Sequence, residues 1–261
     1  MLKKIFVASF NRASDGALSK LIMRMKEEDL WTDDYAKADY ILAPGDRKET
    51  LHFIIDIFSE NKPIIHLWAG EKSQGTHDET WRSFITEMSM MQLCTNQRAY
   101  RNLKNRKNAY VIGNLMLDNL LIDESLVPDE PYDVVLYNPS TVLDRPDIQS
   151  EVTEIVNMLY GCSMKPFHRY YWIEPNGDPG SDIMSRYVTH GSLPRPQFLG
   201  LVKNCRRFIT NSSSMFYEAQ FLGMKGMVVS IGVRNRERQS KYSRMDIPGA
   251  TEKVIQLLKG L

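Results

Sequence analysis

Cysteine is scarce in this chain: Cys94, Cys162 and Cys205 are the only three in 261 residues, widely spaced and without a CxxC pair. That excludes a disulfide framework and a thiolate zinc site, and it fits a reducing compartment. Long apolar runs are missing too. None approaches the roughly 20 residues needed to cross a bilayer, so no membrane partner is expected. The opening MLKKIFVASF sets two lysines before an apolar stretch, but that stretch turns polar after about six residues and reads as a first β-strand, not a signal peptide. The expected location is the cytoplasm. Net charge is also lacking, with 33 Lys and Arg against 32 Asp and Glu. The chain as a whole therefore offers no field to draw a polyanion. There are no low-complexity stretches and no short-period repeats, which excludes solenoids and disordered linkers. His52, His66, His77, His168 and His190 are scattered and do not carry metal-ligand spacing. No metal and no cofactor are expected.

What is present is ordinary globular material, 43% hydrophobic and 25% charged, long enough for one large domain or two modest lobes. Short β-rich runs alternate with helical ones. KKIFVASF, ADYILAPG and PIIHLWAG read as strands, with helices over ASDGALSKLIMRMKEEDLW, ETLHFIIDIFSEN and roughly 79–92, and YVIGN as a closing short strand. The acidic stretch DNLLIDESLVPDEP has two prolines and predicts a hinge. Three divisions follow: a lobe over 1–120, a hinge over 121–131 and a second lobe over 132–261. In the second lobe YDVVLYNPS, FHRYYWIEP, RRFITNS and GMVVSIG read as strands. Helices are expected at about 147–160, PQFLGLVKNC, SMFYEAQFLGM and ATEKVIQLLKG. This alternation implies α/β architecture with parallel sheets and crossover helices.

Parallel α/β sheets bind ligands at the carboxyl ends of their strands, and polar residues crowd there. In RRFITNSSSMFYEAQFLG an apolar strand stops at Thr210, three serines follow, and a helix is expected to begin. The first N–H groups of a helix have no intrahelical partner and attract anions. Capping alone would need one serine, so Ser212, Ser213 and Ser214 suit a phosphate. Glu218, about one turn on, suits paired ribose hydroxyls. Arg234 and Arg238 follow the next strand and could meet a diphosphate. Two clusters are locally basic, 97–107 and 234–244; a solvated face is the bland account of such runs.

Several of these segments, in order, resemble the UDP-N-acetylglucosamine 2-epimerase family. RRFITNSSSMFYEAQFLGMKGMVVSIGVRNRER is similar to its serine run, Glu-Ala pair and Ile-Gly-x-Arg-Gln-x-x-Arg turn. APGDR resembles its Gly-Asp turn, and HLWAGEKSQGTHDETWRSFIT its His-x-x-Gly-Gly-Glu…Asp-x-x-x-Arg stretch in the hydrolysing members. VIGNLMLDNL resembles the Ile-Gly-x-x-x-x-Asp segment, and EPNGDPGSDI the Asn-x-Asp-x-Gly loop. The resemblance implies a GT-B-like fold of two Rossmann-like lobes, with UDP held mainly by the C-terminal one. It assigns Ser212, Ser213, Ser214 and Glu218 to UDP, with Arg234 and Arg238 in support, and Asp46, Glu71 and Asp78 to acid–base work.

Three departures set the functional expectation. The N-terminal lobe is short by several dozen residues, with Arg12 as the candidate for a lost arginine. The His-Pro of the C-terminal lobe is Asn138-Pro139, and a neutral amide cannot move protons as histidine does. Trp68 replaces a glutamate or a small residue and is a candidate floor for a sugar or base, while His66 beside Glu71 is a further candidate. A short lobe and an altered histidine favour a UDP-sugar glycosyltransferase in which an acceptor hydroxyl attacks the anomeric carbon. The basic segments extend that reading to double-stranded DNA with hydroxymethylated bases, hence to a phage enzyme acting in the host cytoplasm. The alternative is a hydrolysing epimerase, which eliminates UDP and hydrates the resulting glycal. A sugar-nucleotide sensor without activity is a third reading. A homodimer is expected from the family.

Overall fold

The computed structural model describes residues 3–10, 12–73, 76–105, 107–214, 218–219, 221–234 and 248–261, with side chains also left out at 12–15 and 119. The described residues belong to two compact units, one within 1–72, 78–119 and 243–261, the other within 73–77 and 120–242.

The first unit runs β1 (Ile5–Val7), α1 (Arg12–Glu27), β2 (Trp31–Thr32), β3 (Tyr40–Pro44), α2 (Lys48–Ile57), β4 (Ile64–Leu67), α3 (Asp78–Met88), β5 (Met91–Cys94), α4 (Gln97–Asn102) and β6 (Ala109–Val111). Its strands pair in parallel in the order β2-β1-β3-β4-β5-β6. Strand side chains alternate between faces, and the core follows that alternation. Leu42, Ile65 and Leu67 pack with Leu18, Leu21 and Met25 of α1, whereas Ile41, Ala43 and Ile64 pack with Ile54 of α2 and Ile85 of α3.

The second unit runs β7 (Tyr132–Leu136), α5 (Arg145–Tyr160), β8 (Arg169–Trp172), α6 (Arg195–Asn204), β9 (Arg207–Thr210) and β10 (Met227–Ser230). These strands are parallel in the order β10-β9-β7-β8. Val134 and Phe208 face α6, and Val135, Trp172 and Ile209 face α5. At the amino ends of β7 and β9 the buried Asp133 carboxylate accepts from both Arg206 and Arg207 at 2.6–3.1 Å. A buried carboxylate is tolerated only when paired in this way.

The last helix, α7 (Ala250–Lys259), belongs to the first unit, where Val254, Ile255 and Leu258 join the α1 face of the core. Its free N–H groups are met by Asp118, whose carboxylate accepts from Gly249 N at 2.5 Å and Thr251 N at 2.6 Å. The aspartate of the Ile-Gly-x-x-x-x-Asp segment thus caps a helix more than 130 residues away in sequence.

The expected strands and helices are largely found, with three additions, β2, α4 and β5, while the helix expected over SMFYEAQFLGM includes residues outside the described ones. The helix read over 79–92 stops at Met88, and MQLC forms β5 instead. Gln92 explains the break, because its side-chain amide donates to Ser89 O at 3.0 Å and so satisfies a carbonyl at the end of α3. The helix read through Trp31 ends at Glu27, and Trp31–Thr32 forms β2. No described helix is long and apolar enough to cross a membrane.

Candidate active site

In the first unit the polar residues gather where β3, β4 and β5 end. Gly45 and Asp46 form the turn after β3, and Gly45 N donates to Leu67 O at 2.9 Å. Gly45 has φ +75°, the left-handed region where a side chain is costly. His66 braces this turn. It is wholly buried, with Nε2 2.7 Å from Gly45 O and Nδ1 2.9 Å from Thr86 Oγ1. A carbonyl can only accept, so Nε2 carries the proton, and Nδ1 faces the Thr86 hydroxyl, whose one proton is shared between it and Arg82 O, also at 2.9 Å. Burial is the main cause that pushes the imidazole down to about 4. A neutral histidine with both nitrogens engaged holds the turn that carries Asp46.

Asp46 is ion-paired with Arg82 of α3. The same guanidinium donates to Glu71 O and to Glu79 Oε2, each at 2.8 Å. Arg82 is buried, so it fixes the Asp46 carboxylate and the Glu71 backbone about one rigid cation. The Glu71 carboxylate accepts from Thr95, which follows β5. Asp78 opens α3, one turn before Arg82. Asp46, Glu71 and Asp78 are all half-buried. The turn between β4 and Glu71 is tight. Trp68 sits at φ +65°, rare for a bulky side chain, with its ring in ordinary contact distance of a Cβ at Gly45. At Gly70, φ +76°, any Cβ would collide with the Ala99 carbonyl. Cys94, near Glu71, is pushed up to about 12 chiefly by burial and is not a nucleophile. Arg12 lies in α1, and its side chain is outside the described residues.

In the second unit the strand ends interlock. Asn211, after β9, accepts from Asn138 N at 2.9 Å through Oδ1 and donates to Asn138 O at 2.7 Å through Nδ2. The Asn138 side chain accepts from Asn176 N at 3.0 Å, bracing the loop after β8. Ser212 Oγ accepts from Ser214 N at 3.3 Å. Ser213 is half-buried, and the buried Ser214 Oγ has no hydrogen-bond partner among the described residues. Ser214 O accepts from Glu218 N at 2.9 Å, one helical turn on. Glu218 is buried and accepts from Arg195 Nε at 2.9 Å. Arg234, after β10, donates to Pro139 O at 2.8 Å and to Asp178 Oδ2 at 3.0 Å. Its turn is held by Glu151, which accepts from Val233 N at 3.1 Å and from Tyr137 OH at 2.5 Å. Arg238 lies outside the described residues.

Thus in the second unit Ser212, Ser213, Ser214, Asn138 and Arg234 follow the carboxyl ends of strands, with Glu218 just beyond, and in the first unit Asp46, Trp68 and Glu71 follow β3 and β4, with His66 inside β4 and Asp78 opening α3. Thr95 and Arg195 were not singled out in the sequence, while Asp178 stood in the Asn-x-Asp-x-Gly loop. Arg82 stood in the Asp-x-x-x-Arg stretch, and its spacing of four from Asp78 was the available signal. Of the basic segment 97–107, Arg101, Lys104 and Lys107 are exposed. Among the described residues no group of three His, Cys, Asp or Glu side chains could hold a metal.

Comparison with known proteins bears on both groups of residues. The sequence model of the UDP-N-acetylglucosamine 2-epimerase family matches residues 9–261. The chain is 26% identical over 245 residues to the polysialic acid biosynthesis protein P7 of Escherichia coli, covering 84% of this chain and 61% of that one. It is 24% identical over 246 residues to the hydrolyzing UDP-N,N'-diacetylbacillosamine 2-epimerase of Legionella pneumophila, covering 85% and 63%. It therefore spans about three fifths of the length of these relatives. UDP-GlcNAc 2-epimerase from Neisseria meningitidis, solved with UDP-GlcNAc bound, shares the GT-B-like fold at TM-score 0.66 and 14% identity, covering 98% of this chain and 91% of that one. These findings overturn the preference for a glycosyltransferase, and the hydroxymethylated-DNA acceptor and phage setting built on it are dropped. The family and the Legionella and Neisseria proteins are named as 2-epimerases, and the departures read in the sequence do not outweigh that. The chain belongs to the UDP-N-acetylglucosamine 2-epimerase family.

Proposed function

We propose that this chain is a hydrolysing UDP-sugar 2-epimerase that converts UDP-N-acetylglucosamine to UDP and N-acetylmannosamine. The observation that carries it is the Arg82 clamp, which ties Asp46 and the Glu71 segment together at the strand ends of the first unit. Elimination needs a base for the C2 proton while the C1–O bond to UDP breaks. Hydration of the glycal then needs a base to activate water for C1 and an acid to protonate C2 from the opposite face. Half-buried carboxylates held at fixed positions suit such proton transfers. Asp46, Glu71 and Asp78 are assigned these steps. Nothing here needs an acceptor other than water. The relatives named as hydrolyzing support the water step.

For the nucleotide, the reading places the diphosphate on Ser213 and Ser214. Ser214 brings a buried hydroxyl in want of a partner and a turn whose N–H groups favour anions. Glu218 takes the ribose hydroxyls. Arg234, already paired with Asp178, serves mainly to order the turn beside Pro139. Trp68 is assigned to the sugar side as an apolar wall, and His66 to structure instead of proton transfer. Incubation with UDP-N-acetylglucosamine alone tests the proposal. UDP and N-acetylmannosamine should appear in equal amounts. Accumulation of UDP-N-acetylmannosamine, or release of N-acetylglucosamine, would contradict it.

A further inference from the structure

We propose that Arg195 is a positioning residue for ribose recognition, clamping one oxygen of Glu218 so that the other is presented to the nucleotide as a fixed anion. This rests on the UDP reading of the serine turn. Arg195 opens α6 and Glu218 lies one turn beyond Ser214, and both belong to the second unit. Arg195 Nε and Nη2 lie 2.9 and 2.7 Å from the same atom, Glu218 Oε1. No described residue bonds Oε2, which leaves that oxygen to accept from ribose hydroxyls. Both side chains are deeply sequestered, at 18% and 6% exposure.

Burial of that depth works against the ion. Desolvation is the largest influence on the Glu218 carboxyl and raises it, while Arg195 is the charged group that opposes it among the described residues. Without the guanidinium no charged group among the described residues would oppose that rise, and the carboxyl would hold its proton more tightly and turn into a weaker acceptor. A hydrogen bond to a charged group exceeds one to a neutral group, so ribose discrimination should fall with the loss of Arg195. The seat of the phosphates on Ser213 and Ser214 need not change.

The test is calorimetric titration of the full chain with UDP and 2′-deoxy-UDP at pH 7.5 and 9.5, where the phosphates are already ionised. Wild type should prefer UDP by roughly ten-fold or more at both pH values. Arg195→Met should lower the preference several-fold at pH 7.5 and regain part of it at pH 9.5, where more of the unpartnered Glu218 is ionised. Glu218→Gln should lose the preference at both. A preference in Arg195→Met that stays at the wild-type level, or that is lost equally at both pH values, would overturn the proposal. The second result would mark Arg195 as a prop for the fold only. If thermal unfolding shows that Arg195→Met does not fold, Arg195→Lys carries the test. A single ammonium cannot reproduce the fork on Oε1, so the preference should fall several-fold at pH 7.5 and recover with pH, and a wild-type value there refutes the clamp. Wild type that binds neither nucleotide would sink the UDP site itself, and the proposal with it.

Discussion

His66 offers a sharp prediction, because its burial has a calculable consequence in acid. The imidazole is wholly buried, neutral, and doubly hydrogen-bonded between Gly45 and Thr86, and its folded-state value lies at about 4. In the unfolded chain it returns to about 6.5. A folded value below the unfolded one means the contribution to stability is complete above pH 6.5 and is lost as pH falls towards 4. Linkage puts the loss at about 2 kcal/mol by pH 5 and about 3 kcal/mol by pH 4. His66→Gln replaces the titrating ring by an amide that can still donate to Gly45 O but takes up no proton. Urea unfolding in a Trp172→Phe background leaves Trp31, Trp68 and Trp81 to report on the first unit. Below pH 6.5 the parent should lose stability faster than the variant, by about 2 kcal/mol at pH 5. Carboxylate titrations are common to both and cancel in the difference. Parallel pH profiles would refute the neutral, buried histidine and restore His66 as a candidate proton carrier.

Asp46→Asn should lower turnover by roughly 10²–10⁴-fold while calorimetry finds UDP binding unchanged. Ser214→Ala should weaken UDP binding in the same assay by roughly ten-fold, the scale of one hydrogen bond to a charged group. Asp118→Ala removes two acceptors from the start of α7 and should cost about 1–2 kcal/mol in urea unfolding, as lost helix caps do. Gly70→Ala should cost more than the roughly 1 kcal/mol of a positive-φ substitution alone, since Ala99 blocks the Cβ, and soluble expression should drop.

The alternation of apolar strands with amphipathic helices was legible because each strand has a helix-length segment beside it to cover its face. Most strand ends could be found in the same way, so Asp46, Glu71, Asn138, Asn211 and Arg234 were placed in the turns after strands, where the structure has them. β5 was not legible. Its four residues follow α3 after only Ser89 and Met90, and Gln92 acts as a helix stop through its side chain, which no periodicity reports. The partners were equally hidden. Arg195 meets Glu218 across 23 residues, and Asp118 meets α7 across more than 130. Such pairs depend on the crossing of elements, not on spacing. The preference for a transferase weighted the short N-terminal lobe, Asn138 and the basic segments over the order of the motifs. In the fold Asn138 braces a loop, and Trp68 packs over the Gly45 turn.

The central claim is that the C2 proton is removed, UDP is eliminated, and water closes the reaction. Turnover of UDP-N-acetylglucosamine in D₂O, followed by proton NMR, tests it most directly. The account predicts free N-acetylmannosamine with one solvent deuterium at C2 for each UDP released. Free N-acetylglucosamine with its C2 proton retained would mean that only the C1–O bond is hydrolysed, and would contradict the account.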